Sequence, residues 1–205
     1  MTKAFRLLLA GLACALPLTV AWAADPAVTP SLQEGKDYVR LATPVPTSVP
    51  DKPEVVEFFS YNCPHCHDLE PESQAWLKRK PDNVVFVRIP VIFNPSWEPT
   101  ARAYYAAETL GVLDKVNLPL FDAIHRDKRK LASEDELAAF FGEHGVDQGA
   151  FRNAYKSFQT ETQLRRGNQL VQRYMVRGVP AIFVNGQYEV RSQQFFAVVD
   201  LLLAR

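Results

Sequence analysis

Two cysteines separated by two residues, Cys63 and Cys66, stand in the stretch "EFFSYNCPHCHDLEP" that runs from Glu57 to Pro71. Three chemistries use such a pair. As half of a zinc site it supplies two of four ligands, with His65 and His67 close by. No second cysteine pair or closely spaced histidine pair completes that set, and His125 and His144 are isolated. As a structural staple the pair is poor, because so small a loop constrains the unfolded chain little. As a redox pair it meets three requirements: the first thiol can be a thiolate, the second can reach it, and a strand can present both at its carboxyl end. Cys63 stands just before Pro64, a residue suited to the first turn of a helix, so the positive helix end can stabilise a thiolate on Cys63. His65 can add donor or cationic character. Cys66, one turn further on, sits behind Cys63 and is the more buried of the two.

These residues need a strand to carry them and a helix to follow. "VVEFFSY" (Val55–Tyr61) has the β-branched and aromatic content of a buried strand. The helix from Pro64 continues through Leu69, Trp76 and Leu77 toward Lys80, with a kink expected at Pro71. A second strand is predicted over Asn83–Phe93, and a shorter one near Tyr38–Leu41, after a proline-rich lead-in over 24–53. Thr100 to Arg177 carries almost no strand signal. Its helical stretches include "ARAYYAAETLGV", closing at Leu110 and Gly111, and "LPLFDAIHRD". "SEDELAAFFGEHG" opens with the capping-box pair Ser133 and Glu136. Strands return at Pro180–Asn185 and Gln187–Val190, joined by Asn185-Gly186, a two-residue hairpin signal. A final amphipathic helix closes the chain. A sheet interrupted by one helical block predicts an α/β domain with an inserted all-helical domain.

The amino terminus predicts the compartment. Lys3 and Arg6, the apolar run Leu7–Val20 and Ala21-Trp22-Ala23 form a secretory signal pattern, with cleavage expected after Ala23. Cys14 lies in that run; a lipid-attachment reading is weakened by Gly11, where leucine is preferred, and by the apolar residues that continue past Cys14. Removing Lys3 and Arg6 from the 23 basic residues leaves 21 against 23 acidic ones, a net charge of −2. This balance gives no general electrostatic case for nucleic acid or a membrane surface as partner. The two cysteines of the mature chain are then the pair at 63 and 66, in an oxidising compartment.

"EFFSYNCPHC" and "VRGVPAIFVNGQY", together with the order of elements over 35–205, resemble the DsbA family of thioredoxin-fold oxidases of the bacterial periplasm. The resemblance implies a thioredoxin-like fold in two parts, 24–94 and 168–205, around an inserted helical domain at 95–167, after a signal peptide at 1–23. It implies a dithiol oxidase that passes a Cys63–Cys66 disulfide to unfolded exported proteins. A DsbB-like, quinone-coupled membrane protein would reoxidise it, with no cofactor or metal of its own. The Pro64-His65 dipeptide is of the oxidase type. A reductase or isomerase of the same fold is the alternative, and a holdase-like binding module the more distant one. Isomerases carry an added dimerisation domain; about thirty residues (24–54) precede the catalytic strand here, which implies a monomer, not itself membrane-embedded. The family places Pro180 after a cis bond against the disulfide, and the backbone of Val179 against substrate. It also implies that Glu57 is a buried acid with a modest role in proton handling. Its partner position is Arg88, where the family more often has lysine; arginine keeps its proton, which suggests an ionised Glu57. His67 replaces an aromatic residue common in relatives and is expected to be a solvated helix residue.

Overall fold

The computed structural model describes residues 32–205. The expected signal segment, its cleavage site, Cys14 and the start of the lead-in lie outside the described residues. Five strands form one mixed sheet: β1 (Tyr38–Arg40), β2 (Glu54–Phe59), β3 (Val85–Pro90), β4 (Ala181–Val184) and β5 (Tyr188–Val190). Their order across the sheet is β1-β5-β4-β2-β3. β2 and β3 run parallel, linked through helix α1 (Pro64–Leu77). β4 lies antiparallel to β2, and β5 antiparallel to both β4 and β1.

β2 is buried along its whole length, Glu54 and Glu57 included, as befits a central strand. Its residues alternate between two cores. Val55 faces α1 and the carboxyl-terminal helix α7 (Phe195–Leu203), where Trp76 stacks on Phe196 with ring centroids 5.1 Å apart. Val56 and Phe58 face the other way, toward Tyr174 and Val176. The hairpin between β4 and β5 turns at Asn185 and Gly186, with φ of 52° and 62°. Positive φ at both positions is what the mirror-image two-residue turn demands.

Between β3 and β4 the chain makes a 3-10 turn (Pro95–Trp97) and five helices: α2 (Glu98–Thr109), α3 (Leu113–His125), α4 (Glu134–Glu143), α5 (Gln148–Tyr155) and α6 (Phe158–Arg173). The block expected from 95 starts at the 3-10 turn, while position 167 falls inside α6. Ser133 and Glu136 form the reciprocal capping box that the sequence predicts at the start of α4. The block shares a core with the sheet: Phe59 and Tyr61, from the end of β2, meet Tyr104 of α2 and Phe121 of α3. Among the described residues no helix is long and apolar enough to cross a membrane.

Candidate active site

Topology brings the site together. Cys63 and Cys66 follow the carboxyl end of β2. Because β4 runs antiparallel to β2, with Phe58 opposite Ala181, the loop that precedes β4 must arrive at that same end. That loop holds Val179 and Pro180, joined by a cis bond as the resemblance implies. The Cys63 thiol donates a hydrogen bond to the Val179 carbonyl at 3.3 Å.

Cys63 is the N-cap of α1 with extended backbone (φ −96°, ψ 117°), and Pro64 is the first helical residue. Pro64 and His65 are exposed, whereas Cys63 is 8% and Cys66 0% accessible. Both thiols are free. The Cys63 thiol is lowered to about 6. The largest cause is a hydrogen bond from the Cys66 thiol. The N–H groups of Cys66 and His65 and the charge of His65 act in the same direction, against partial burial. Burial pushes the Cys66 thiol far up, and its bond to Cys63 and the Cys63 charge push it further. One sulfur is thus tuned to carry charge at neutral pH and the other to keep its proton, which matches an exchange reaction run through Cys63.

Beneath the pair lies a buried ionic network. Glu57 of β2 stands opposite Arg88 of β3 in the parallel register, and both side chains are buried, at 0% and 8% exposure. Arg88 Nη2 donates to Glu57 Oε1 at 3.3 Å. Arg88 Nε lies 2.9 Å from Glu57 Oε2, off the line of a hydrogen bond, so neither atom has a hydrogen-bond partner. Arg88 also reaches a second carboxylate, Glu70 of α1, with Nη2 at 2.6 Å from Oε2. Glu70 accepts further bonds from Gln74 and Asn117 at 2.7 and 2.5 Å, and Tyr61 donates to Asn117 at 2.7 Å. The pairing of Glu57 with Arg88 suggests an ionised Glu57; the second carboxylate on the same guanidinium opposes part of that effect. Burial raises the Glu57 carboxyl, Arg88 pulls it down, and Glu70 raises it again, with a net upward shift.

The expected solvated place of His67 is a second correction. Its side chain is 15% exposed, pairs with Asp122 of α3 at 2.8 Å, and stacks on His125 with centroids 5.1 Å apart. His125 in turn bonds the Tyr61 carbonyl at 2.8 Å. The insert covers this side of α1, so His67 fills an aromatic's place as an aromatic ring does. Glu70, Asn117, Asp122 and His125 escaped the sequence reading. Glu70 did leave a signal: four residues after the buried Cys66, it lies on the same helix face.

Residues 54–202 match the family described as the DSBA-like thioredoxin domain. The thiol:disulfide interchange protein DsbA of Azotobacter vinelandii is 43% identical over 154 residues, covering 75% of this chain and 72% of that protein. The protein of the same name from Burkholderia cepacia is 37% identical over 190 residues, covering 92% and 87%. Among solved structures, Pseudomonas aeruginosa DsbA superposes with a TM-score of 0.78 at 38% identity, over 83% of this chain and 92% of that one. Xylella fastidiosa DsbA gives 0.78 at 33% identity, over 85% and 97%. Fold, thiol pair and relatives agree: the chain belongs to the DSBA-like thioredoxin domain family and is a thiol:disulfide oxidoreductase.

Proposed function

We propose that the protein works as a periplasmic oxidase, with Cys63 as the exchanging sulfur and Cys66 as its buried partner. A substrate thiolate attacks Cys63 of the disulfide form. The Cys63–Cys66 bond breaks, a substrate–Cys63 bond forms, and the Cys66 sulfur leaves and takes up a proton. The second substrate thiolate then attacks the substrate sulfur of this mixed disulfide and expels Cys63 as a thiolate. The substrate leaves oxidised by two electrons and the protein reduced by two. The contrast between the two thiols carries the reading, since a low-pKa leaving group favours the second displacement. Pro64 and His65 set the helix start beside Cys63. Val179 offers backbone to an extended substrate, a strand-addition mode of recognition, and Pro180 closes that loop against the pair. Glu57 contributes to proton handling near Cys66, whose thiol its charge helps to raise. Reduced, unfolded exported proteins are the substrates, a quinone-coupled membrane protein restores the disulfide, and the protein acts as a monomer.

Equilibration with reduced and oxidised glutathione tests the direction of flow. An oxidase gives a potential well above that of a thioredoxin-type reductase, which lies near −270 mV. A value at or below that level assigns the protein to the reductases instead. If a Cys63→Ser/Cys66→Ser protein still rescued an oxidase-deficient strain, the holdase reading would replace both.

A further inference from the structure

A groove of about 610 Å³ opens at Val179 and Pro180 and runs along β1, β5 and the start of α7. Its apolar floor includes Met175, which is 58% exposed, and Phe195. Three arginines line it: Arg40, Arg177 and Arg191. Among the described residues a single acid, Glu189, shares the lining, and it is already paired with Arg191 at 2.8 Å. Arg40 lies over the Tyr188 ring at 4.8 Å, which fixes the guanidinium without neutralising it. Arg177 has no ion pair among the described residues and stands two residues before Val179, whose carbonyl touches Cys63. The groove therefore carries a local charge of +2, three arginines less one glutamate. The chain as a whole is neutral by the same count, so general basicity does not account for it.

We infer that this groove selects substrates in which acidic residues flank the reacting cysteine. This deepens the proposed oxidase reading and rests on it. A substrate cysteine at Cys63 has its neighbours beside Val179 and Pro180, and chain continuing in an extended form from there follows the groove past Arg177 toward Arg40 and Arg191. Glutamate or aspartate there meets unneutralised guanidinium groups, which bind carboxylates in a bidentate fork. Lysine there meets like charge. The apolar floor takes side chains of either kind of substrate, so the arginines set the preference and the floor supplies general affinity.

Three dithiol peptides of equal length test this, with Glu, Gln or Lys on both sides of the reacting cysteine. The readout is the second-order rate at which each reduces the protein's disulfide, in about 20 mM and about 500 mM salt, since screening is weak at the first and strong at the second. The Glu peptide is expected to react roughly 3- to 10-fold faster than Gln at low salt, the range given by two partly exposed charge pairs. The Lys peptide is expected to be slower than Gln, and the spread to collapse at high salt. In an Arg40→Gln/Arg177→Gln protein the Glu and Gln peptides should react at equal rates, so that the ratio of the two falls to about 1. Equal rates for all three peptides at low salt, or an advantage that survives the double substitution, overturn the inference and leave the oxidase reading standing. If no peptide reduces the disulfide, the oxidase reading falls and the inference with it.

Discussion

Lowering the pH should destabilise the reduced protein relative to its disulfide form, and the size of the effect follows from Cys63. Its thiol stands at about 6 in the fold and near 8.5 in an unfolded chain. A depressed pKa on an acid stabilises the fold where the group is ionised. The contribution is complete above about pH 8.5, shrinks below it, and is gone once pH has fallen through about 6 to about 5. Integrating between those limits gives about 2.5 kcal/mol between pH 5 and 8. Screening at the solvent-facing edge of the sulfur reduces this to about 1–2 kcal/mol. Cys66 adds little in that window: its thiol keeps its proton in the fold, and partial ionisation in the unfolded chain subtracts only about 0.2 kcal/mol at pH 8. Urea denaturation of the dithiol and disulfide forms at pH 5, 6, 7 and 8 measures the effect. Groups titrating alike in both forms cancel in the difference, and only the dithiol form holds the titrating sulfur. The stability difference, dithiol minus disulfide, should rise by about 1–2 kcal/mol across the series. A flat difference, or an equal rise in Cys63→Ser protein carrying free Cys66, would refute the assignment of the low-pKa thiol to Cys63.

Other substitutions probe the rest of the site and its support. Cys66→Ala removes the thiol that donates to Cys63; alkylation by iodoacetamide across pH should show the Cys63 midpoint climbing by about one unit. Arg88→Met leaves Glu57 and Glu70 buried without their cation and should cost about 3–5 kcal/mol in urea denaturation. Adding Glu57→Gln and Glu70→Gln to Arg88→Met should recover part of that loss, and no recovery would mean that packing, not charge, makes Arg88 important. Gly186→Ala places a methyl group 1.8 Å from the Val45 carbonyl oxygen at a φ of +62°; thermal unfolding should show a loss of more than about 2 kcal/mol.

What the sequence discloses here is what neighbouring residues settle among themselves. A capping box closes within three positions, so Ser133 and Glu136 announce α4. A mirror-image turn needs two residues tolerant of positive φ, so Asn185-Gly186 announces the hairpin. A helix start beside a cysteine is equally local, so Cys63 stands out against Cys66. The start of α3 shows where this logic fails. Pro119 suggests a first turn and places the helix from Leu118, yet the helix begins at Leu113 and passes through Pro119. Val116, Leu120 and Phe121 are fully buried, and their packing outweighs the donor that proline lacks. α1 likewise continues through Pro71.

The charge state of Glu57 depends on a third party supplied by tertiary structure. Glu57 and Arg88 are paired by strand register, as the family resemblance implies. Glu70 comes from α1, and Asn117 from a helix inserted some fifty residues after the catalytic strand. Each of the three ionic groups taken alone costs free energy to bury. Together they form a cluster with one more acidic group than basic, close enough for Glu57 to act electrostatically on the Cys66 thiol. An excess of buried carboxylate disfavours a second anion there, which is the direction in which Glu57 acts on Cys66. Burial first, and the Glu70 charge after it, raise Glu57 itself; burial likewise does most to resist charge at Cys66, while the Cys66 thiol and the N–H groups of the helix start accept it at Cys63.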